Sequence, residues 1–263
     1  MIDPAKVRLY IPPGLGKYKT GLFDRVAASV GGTIVHDLDK LRALPDDLIP
    51  AVGCTVALRP IIQEWIKRQR QWIYWDRGYL VRRFGTWLPP SRDDGYYRWE
   101  MNAFQMKAVS PDVSDERWRK LRLSYPVWRK ATGSHVLIAA GSPDYDQFHG
   151  IEGWLDRTIK AVKAVTRRPI KVRARDAGHL LQNDLDGAHI LVTHASVAAI
   201  EALMLGVPVC VDPSSAAAAV GLTDIAMIGQ PVRPDLRPWL HALANAQFHA
   251  DDMRDGTLWR LIT

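Results

Sequence analysis

Ile190-Leu191-Val192-Thr193-His194-Ala195-Ser196-Val197-Ala198-Ala199-Ile200-Glu201-Ala202-Leu203-Met204-Leu205-Gly206-Val207-Pro208-Val209-Cys210-Val211-Asp212 reads as a buried strand ending in small polar residues, a helix that starts at once, and a second buried strand after Gly206. Continuous apolar runs joined through a helical period belong to strands covered on both faces, the signature of a parallel sheet. Ser196 stands where it can cap the helix, and the unpaired N–H groups of a first helical turn attract an anion lying above the strand ends. Ala195, Ala198, Ala199 and Ala202 leave little bulk there, and Glu201, one turn in, is placed to accept hydrogen bonds from ribose hydroxyls. A reading that needs no ligand makes His194 a satisfied structural histidine and Glu201 a solvated helix residue.

The pattern extends in both directions. Upstream, residues 135–140 read as a strand stopped by Gly141-Ser142-Pro143, residues 154–165 as an amphipathic helix, and residues 170–174 as a strand. Further back, strands are expected at 7–11, 33–36, 52–58 and 72–75, with helical stretches at 22–30 and 61–70. Strands alternating with helices imply parallel sheets, so the fold class is α/β with two Rossmann-like lobes. The lobe boundary is set near residues 131–133, giving an N-terminal lobe of residues 1–130 and a C-terminal lobe of residues 131–263. Residues 76–107 lose their period and read as a long functional loop, and residues 114–130 read as a helical connector. Downstream, the helical spacing of Trp239, Leu240 and Leu243, then Met253, Leu258 and Trp259, suggests C-terminal helices packing across the lobes.

Composition bounds the function. Hydrophobic residues at 47% and charged residues at 24% are globular values, and no stretch approaches the roughly 20 apolar residues that cross a bilayer. The start, Met1 to Lys6, has no basic-then-apolar leader, so a cytoplasmic location is expected. Cys54 and Cys210 sit in apolar runs and are expected to be core residues. A net charge of +7 favours polyanionic partners. The charge is concentrated where Arg77, Arg82, Arg83 and other arginines mix with Trp65, Trp72, Trp75, Trp87, Tyr96, Tyr97 and Trp99, and single-stranded nucleic-acid surfaces combine cations with aromatic faces in this way. Tryptophan is also a common core residue, which is the competing reading of the same segment.

A strand, Thr193-His194-Ala195-Ser196, a small-residue helix carrying Glu201, then Leu205-Gly206-Val207-Pro208-Val209 and a strand together resemble the C-terminal nucleotide-binding lobe of GT-B-fold glycosyltransferases, especially those near capsular polysaccharide synthesis enzymes. The resemblance covers about 80 residues, from His135 to Asp212. It implies a compact GT-B-like, metal-independent glycosyltransferase with no cofactor beyond a nucleotide-sugar donor, a UDP-sugar first. It further implies that His194 and Ser196 meet the donor phosphates, that Glu201 meets the ribose, and that Gly141 and Ser142 make donor contacts at the end of the lobe's first strand. Lys171, Arg173 and Arg175 alternate along one strand face, so Arg173 could line the phosphate pocket; a solvated strand edge has the same pattern.

Transfer to a hydroxyl needs a general base. Asp76, after a predicted strand, is the first candidate, against a structural pair with Arg77 or Arg82; His36 and Asp37 end another strand, and His36 is the reserve. The loop holding Gly14, Gly16, Lys17 and Lys19 does not meet the P-loop spacing, and its lysines join Arg77, Arg82 and Arg83 as candidate nucleic-acid contacts. Neither an Asp-x-Asp at a strand end nor a His/Cys cluster suggests a metal. Charge and aromatic content point to DNA carrying hydroxymethylated pyrimidines as acceptor, as in the phage DNA glucosyltransferases that share the fold class, with a base flipped to reach Asp76. Two alternatives stand beside it: a glycan or lipid-linked acceptor, and a non-catalytic nucleotide- or DNA-binding protein with a degenerate GT-B lobe.

Overall fold

Two α/β units account for the chain, with residues 1–104 and 245–263 in the first and residues 105–244 in the second. The computed structural model describes residues 2–13, 33–80, 95–107, 112–129, 133–175 and 177–262. The division differs from a boundary at 130/131, because the last residues of the chain return to the first unit's sheet and core.

In the first unit, β1 (Val7–Tyr10), β2 (Thr33–Val35), β3 (Ile49–Val52) and β4 (Ile73–Arg77) run parallel, with α1 (Leu38–Arg42) and α2 (Arg59–Lys67) between them. The sheet continues through β5 (Tyr97–Met101), antiparallel to β4, and β10 (Gln247–Phe248), antiparallel to β5, in the order β10-β5-β4-β3-β1-β2. This sheet is therefore mixed rather than purely parallel. The expected strand at 52–58 begins earlier, at Ile49, and Val56–Leu58 is a short 3-10 turn leading into α2. Pro50 concealed it, since proline normally argues against a central strand. β5 lies inside the segment read as loop, although Tyr97-Arg98-Trp99-Glu100-Met101 alternates with the period of two that marks a half-buried strand.

That alternation sorts the side chains. Tyr97 and Trp99 join Trp75, Phe248, Met253, Leu258 and Trp259 in the core, while Arg98 and Glu100 face the other way beside Asp76 and Tyr74. Trp75 and Trp99 stack at 5.9 Å and 21°, and Trp259 meets Trp99 edge-on at 5.9 Å. Met253 comes from α9 (Ala250–Arg254) and Trp259 from α10 (Thr257–Leu261), so these terminal helices complete the first unit's core. The preceding helix, α8 (Arg237–Asn245), buries Trp239 in the second unit, where its indole N–H donates to Ala216 O at 2.8 Å. The expectation of a tail packing across the lobes thus resolves into helices shared out between the two units.

The second unit opens with α3 (Glu116–Leu121) and holds a four-stranded, all-parallel sheet in the order β7-β6-β8-β9, where β6 is His135–Ala139, β7 Ile170–Arg173, β8 Ala188–Thr193 and β9 Val209–Val211. Every residue of β6 and β8 is buried, which is why both read as unbroken apolar runs. α4 (Pro143–His149) and α5 (Trp154–Val165) lead from β6 to β7, α6 (Leu181–Leu185) leads back past β6 to β8, and α7 (Ala198–Met204) joins β8 to β9. Strand order therefore reverses between β6 and β8.

Gly206, after α7, has φ +73°, and a Cβ there would lie 2.1 Å from the Val127 carbonyl oxygen. Residues 127–129 run across this point, with Arg129 N–H donating to Gly206 O at 3.1 Å. Gly206→Ala should therefore lower stability by about 2 kcal/mol, read as a reduced thermal midpoint; an unchanged midpoint would contradict this packing.

Candidate functional site

In open α/β sheets, ligands bind beyond the carboxyl ends of the strands where the strand order reverses. Here that point lies between the ends of β6 and β8, and it gathers Gly141, Ser142, His194 and Ser196, four of the six residues singled out for donor binding. The Thr193 hydroxyl ties the two strand ends together by donating to Ala139 O at 2.8 Å. Gln105 braces the loop beyond β8, its side-chain amide donating to Ala195 O and accepting from Ala216 N–H.

His194 is the centre of the arrangement. Its Nδ1 lies 3.1 Å from the Tyr145 hydroxyl and its Nε2 3.7 Å from an Asp212 carboxylate oxygen. Trp154 and His149 pack around the ring, with centroids 6.4 Å and 5.7 Å away. Burial pushes the His194 pKa below its ordinary value, against the opposing pull of Asp212 and Asp146, which favours the neutral ring. A neutral ring that accepts the Tyr145 proton at Nδ1 carries its own N–H at Nε2, turned toward Asp212.

Ser142 caps α4, accepting from Tyr145 N–H at 3.3 Å, and Pro143 follows at the first helical position. Ser142-Pro143-Asp144 is thus a helix start as well as the strand stop expected from sequence. Gly141 permits the first turn to pack closely, because a Cβ there would lie 2.6 Å from Tyr145 Cδ1 and 2.7 Å from Asp146 Oδ1. That Asp146 oxygen is buried and has no hydrogen-bond partner among the described residues, and burial raises the carboxyl's pKa.

Arg175 reaches this cluster, with Nη1 donating to Ser142 Oγ at 3.3 Å. Arg173, its neighbour in the basic alternation, is instead tied to Asp184 by an ion pair and to His179 O. Ser196 Oγ accepts from Ala198 N–H at 3.2 Å, one residue ahead of the cap position that Val197 occupies. Glu201 is half-buried in the first turn of α7. Tyr145, His149, Trp154 and Asp212 went unnoticed in the sequence. Asp212 follows the buried strand β9, and that was the available signal; Asp76, expected just after a strand, lies inside β4 instead, and the aromatic ring of the site had no signal.

The first unit holds a second polar cluster on the face of β4 and β5 turned away from the core. Asp76 and Arg98 are cross-strand partners, and Arg98 Nη2 donates to Asp76 Oδ2 at 3.0 Å. The Tyr74 hydroxyl donates to the same oxygen at 3.3 Å, and Arg77 N–H to Oδ1 at 2.8 Å. The guanidinium lies between the Tyr74 and Tyr79 rings, 5.6 Å and 5.2 Å from their centroids. Burial alone would lower its pKa, but the Asp76 carboxylate holds it above the ordinary value. Glu100 accepts from the Tyr79 hydroxyl at 2.7 Å, and burial pushes its pKa up from 4.5 to about 7. The structural partner of Asp76 is thus Arg98, neither Arg77 nor Arg82. His36 is exposed at the end of β2, with Nδ1 3.0 Å from Ile11 O; a donated proton there leaves Nε2 as the basic nitrogen. With β1 and β3 between their strands, His36 and Asp76 are three strand spacings apart, about 14 Å.

The nucleic-acid reading loses its platform. Trp65, Trp72, Trp75 and Trp99 are each no more than 5% exposed, and the arginine alternating with them, Arg98, is inside the ion pair. Arg77 is exposed; Arg82, Arg83, Lys17 and Lys19 lie outside the described residues. Cys54 is exposed rather than in the core, whereas Cys210 is buried in β9 and its thiol is pushed up to about 12. Among the described residues no helix is long and apolar enough to cross a membrane, and no three His, Cys, Asp or Glu side chains are grouped to hold a metal ion.

No protein-family model and no curated protein sequence matches the chain. Solved structures do. A Thermosulfurimonas dismutans KpsC chain described as a beta Kdo 2,4 transferase superposes with a TM-score of 0.48 at 13% identity, covering 92% of this chain and 91% of that one. A second KpsC chain of that organism, described as a beta Kdo 2,7 transferase, gives a TM-score of 0.51 at 13% identity, with 96% and 99% covered. At this identity the likeness is one of fold: the present chain and the beta Kdo 2,7 transferase chain share an architecture along nearly the whole of both.

Proposed function

We propose that the protein is a glycosyltransferase whose second unit binds a nucleotide-sugar at the reversal point between β6 and β8. The observation that carries this reading is the convergence of Gly141, Ser142, His194 and Ser196 on that point, where doubly wound sheets hold nucleotides. The Ser142 and Ser196 hydroxyls, the His194 imidazole and the Arg175 guanidinium are donors suited to phosphate oxygens. Glu201 takes the ribose hydroxyls, and a UDP-sugar is the first candidate donor. Arg173 acts one step back, holding the segment before Arg175 through Asp184 and His179. The shared fold with a chain described as a Kdo transferase supports the reaction class.

In transfer, an acceptor hydroxyl bonds to the anomeric carbon, the bond from that carbon to the phosphate oxygen breaks, and the phosphate leaves with the electron pair. The hydroxyl proton passes to a base. We assign that role to Asp76, with the exposed His36 as the alternative. We place a glycan hydroxyl ahead of a hydroxymethylated base in DNA as acceptor, because Trp65, Trp72, Trp75 and Trp99, which suggested base stacking, are core residues. A thermal-shift panel of UDP-, GDP- and CMP-sugars, followed by transfer assays on glycans and on plain and hydroxymethylated DNA, checks the reading. At least one nucleotide-sugar should raise the unfolding midpoint and be consumed in transfer. Failure of the whole panel to bind would remove the enzyme assignment, and binding without transfer to any acceptor would leave the nucleotide-binding alternative.

A further inference from the structure

Where β7 ends, the chain turns back toward α6, and three side chains fasten the turn. Arg173, the last residue of β7, is ion-paired with Asp184 of α6 and donates to the His179 backbone carbonyl. The His179 ring bonds the same Asp184 oxygen through Nε2 at 2.9 Å. Its other nitrogen, Nδ1, lies 2.7 Å from Ala177 O. Gly178, between Ala177 and His179, takes φ +72°, a left-handed conformation that glycine enters freely. Arg175 stands on the stretch between these fastened points and donates to Ser142 Oγ at 3.3 Å, beyond the end of β6.

Both partners of the His179 ring are acceptors only, a carbonyl oxygen and a carboxylate oxygen. A neutral imidazole has one N–H and one lone pair, so either tautomer would set a lone pair against an oxygen, whereas the imidazolium donates to both. The surrounding charge agrees. The charged groups facing the ring among the described residues are Asp184 from α6 and Arg173 from β7; the bond to Asp184, then that to Ala177 O, raise the His179 pKa above its ordinary 6.5. Burial alone would raise the Asp184 carboxyl, but its bonds with His179 and Arg173 hold it below its ordinary value, so it stays an acceptor.

We infer that His179 in its doubly protonated form is a positioning residue for the donor site: it closes the turn that carries Arg175 to Ser142, and loss of one ring proton loosens Arg175 and weakens its hold on a donor phosphate. The effect on binding rests on the nucleotide-sugar reading of that site, whereas the closure of the turn does not. The closed turn is fully present below pH 6.5 and is lost as pH rises through the higher folded-state value. His194, at the same site, has its pKa lowered by burial and so changes charge on the acid side of this step.

The test is a titration of the whole protein from about pH 5 to about pH 8. NMR of the histidine ring nitrogens and of arginine Nε reads the turn, and calorimetry of the nucleotide-sugar with the largest thermal shift reads binding. His179 should titrate above 6.5, the Arg175 Nε signal should shift through the same midpoint, and Asp184→Asn should bring the His179 value down. Affinity should fall through that midpoint by up to about tenfold, the worth of one charge-assisted hydrogen bond. His179→Gln should lack this step and bind throughout as wild type does at high pH. Arg175→Gln should bind weakly at every pH, and adding His179→Gln to it should cost nothing more. An Arg175 signal that ignores the His179 titration, a wild-type pH step in His179→Gln, or additive losses in the double variant would overturn this role while leaving nucleotide-sugar binding in place. If the NMR titrations behave as stated and no nucleotide-sugar binds, the closed turn stands and the donor assignment falls.

Discussion

Asp76→Ala is expected to cost about 3 to 5 kcal/mol, the penalty for stranding a buried charge without its partner. The Arg98 side chain is 6% exposed whereas that of Asp76 is 42% exposed, so the two members of the pair are not equivalent. Without Asp76, the guanidinium stays between Tyr74 and Tyr79 with no carboxylate bonded to it among the described residues, where its Nε and Nη1 have no hydrogen-bond partner to begin with. Without Arg98, the carboxylate that remains can turn to water. Arg98→Met should therefore cost less than Asp76→Ala, and Asp76→Ala combined with Arg98→Met should recover much of the loss. Chemical unfolding followed by near-ultraviolet circular dichroism, which the stacked Trp75, Trp99 and Trp259 make sensitive to the first unit, reads all three. Equal costs for the two single variants would contradict the asymmetry. A transfer defect in any Asp76 variant has to be read against this loss, whereas His36→Ala leaves the pair intact and tests the alternative base.

Stability should also fall as pH rises from 4.5 to 7. Glu100 has its carboxyl pKa raised by burial from 4.5 to about 7, so between those values the folded state keeps a proton that the unfolded chain has released. The contribution is fully present below pH 4.5 and lost as pH rises through about 7, amounting to about 3 kcal/mol. The Tyr79 hydroxyl and the Arg98 charge both pull the pKa down, and burial outweighs them. Glu100→Gln, which cannot release a proton, should remove this pH dependence and be the more stable protein at pH 8. A Glu100→Gln curve parallel to wild type across the window would show that Glu100 is not the group responsible.

These two expectations turn on Arg98 as the partner of Asp76 and on Glu100, neither of which the sequence singled out, and the reason is topological. The Asp76 partner lies 22 residues away on an antiparallel strand, within a stretch whose glycines, arginines and aromatics hid a five-residue alternation. The tryptophans misled for a related reason. Their mixture with arginine is the same whether the rings face solvent or core, and only strand alternation separates Trp99 from Arg98.

The second unit was far more legible. α5 falls at the bounds read from sequence, and β8 ends at Thr193, where the apolar run gives way to small polar residues, because a strand buried on both faces and an amphipathic helix carry opposite and unmistakable periods. The strand-end residues of the site followed from those elements. Its remaining members did not, since Tyr145, His149 and Trp154 meet His194 across 40 or more residues of chain, a contact set by the packing of α4 and α5 against the end of β8. Arg173 and Arg175 show the limit from the other side. Their alternation is visible in sequence, but only the fold reveals that one is tied to Asp184 while the other bonds Ser142.

The central claim is that a nucleotide-sugar sits at the reversal point of the second unit's sheet, against His194 and Glu201. Titration calorimetry of the nucleotide-sugar giving the largest thermal shift, against wild type, His194→Ala and Glu201→Ala, measures it directly. Each substitution should weaken binding about tenfold or more, the scale of a hydrogen bond to a charged group, while the unfolding midpoint without ligand stays near that of wild type. Wild-type affinity in both variants would contradict the assignment.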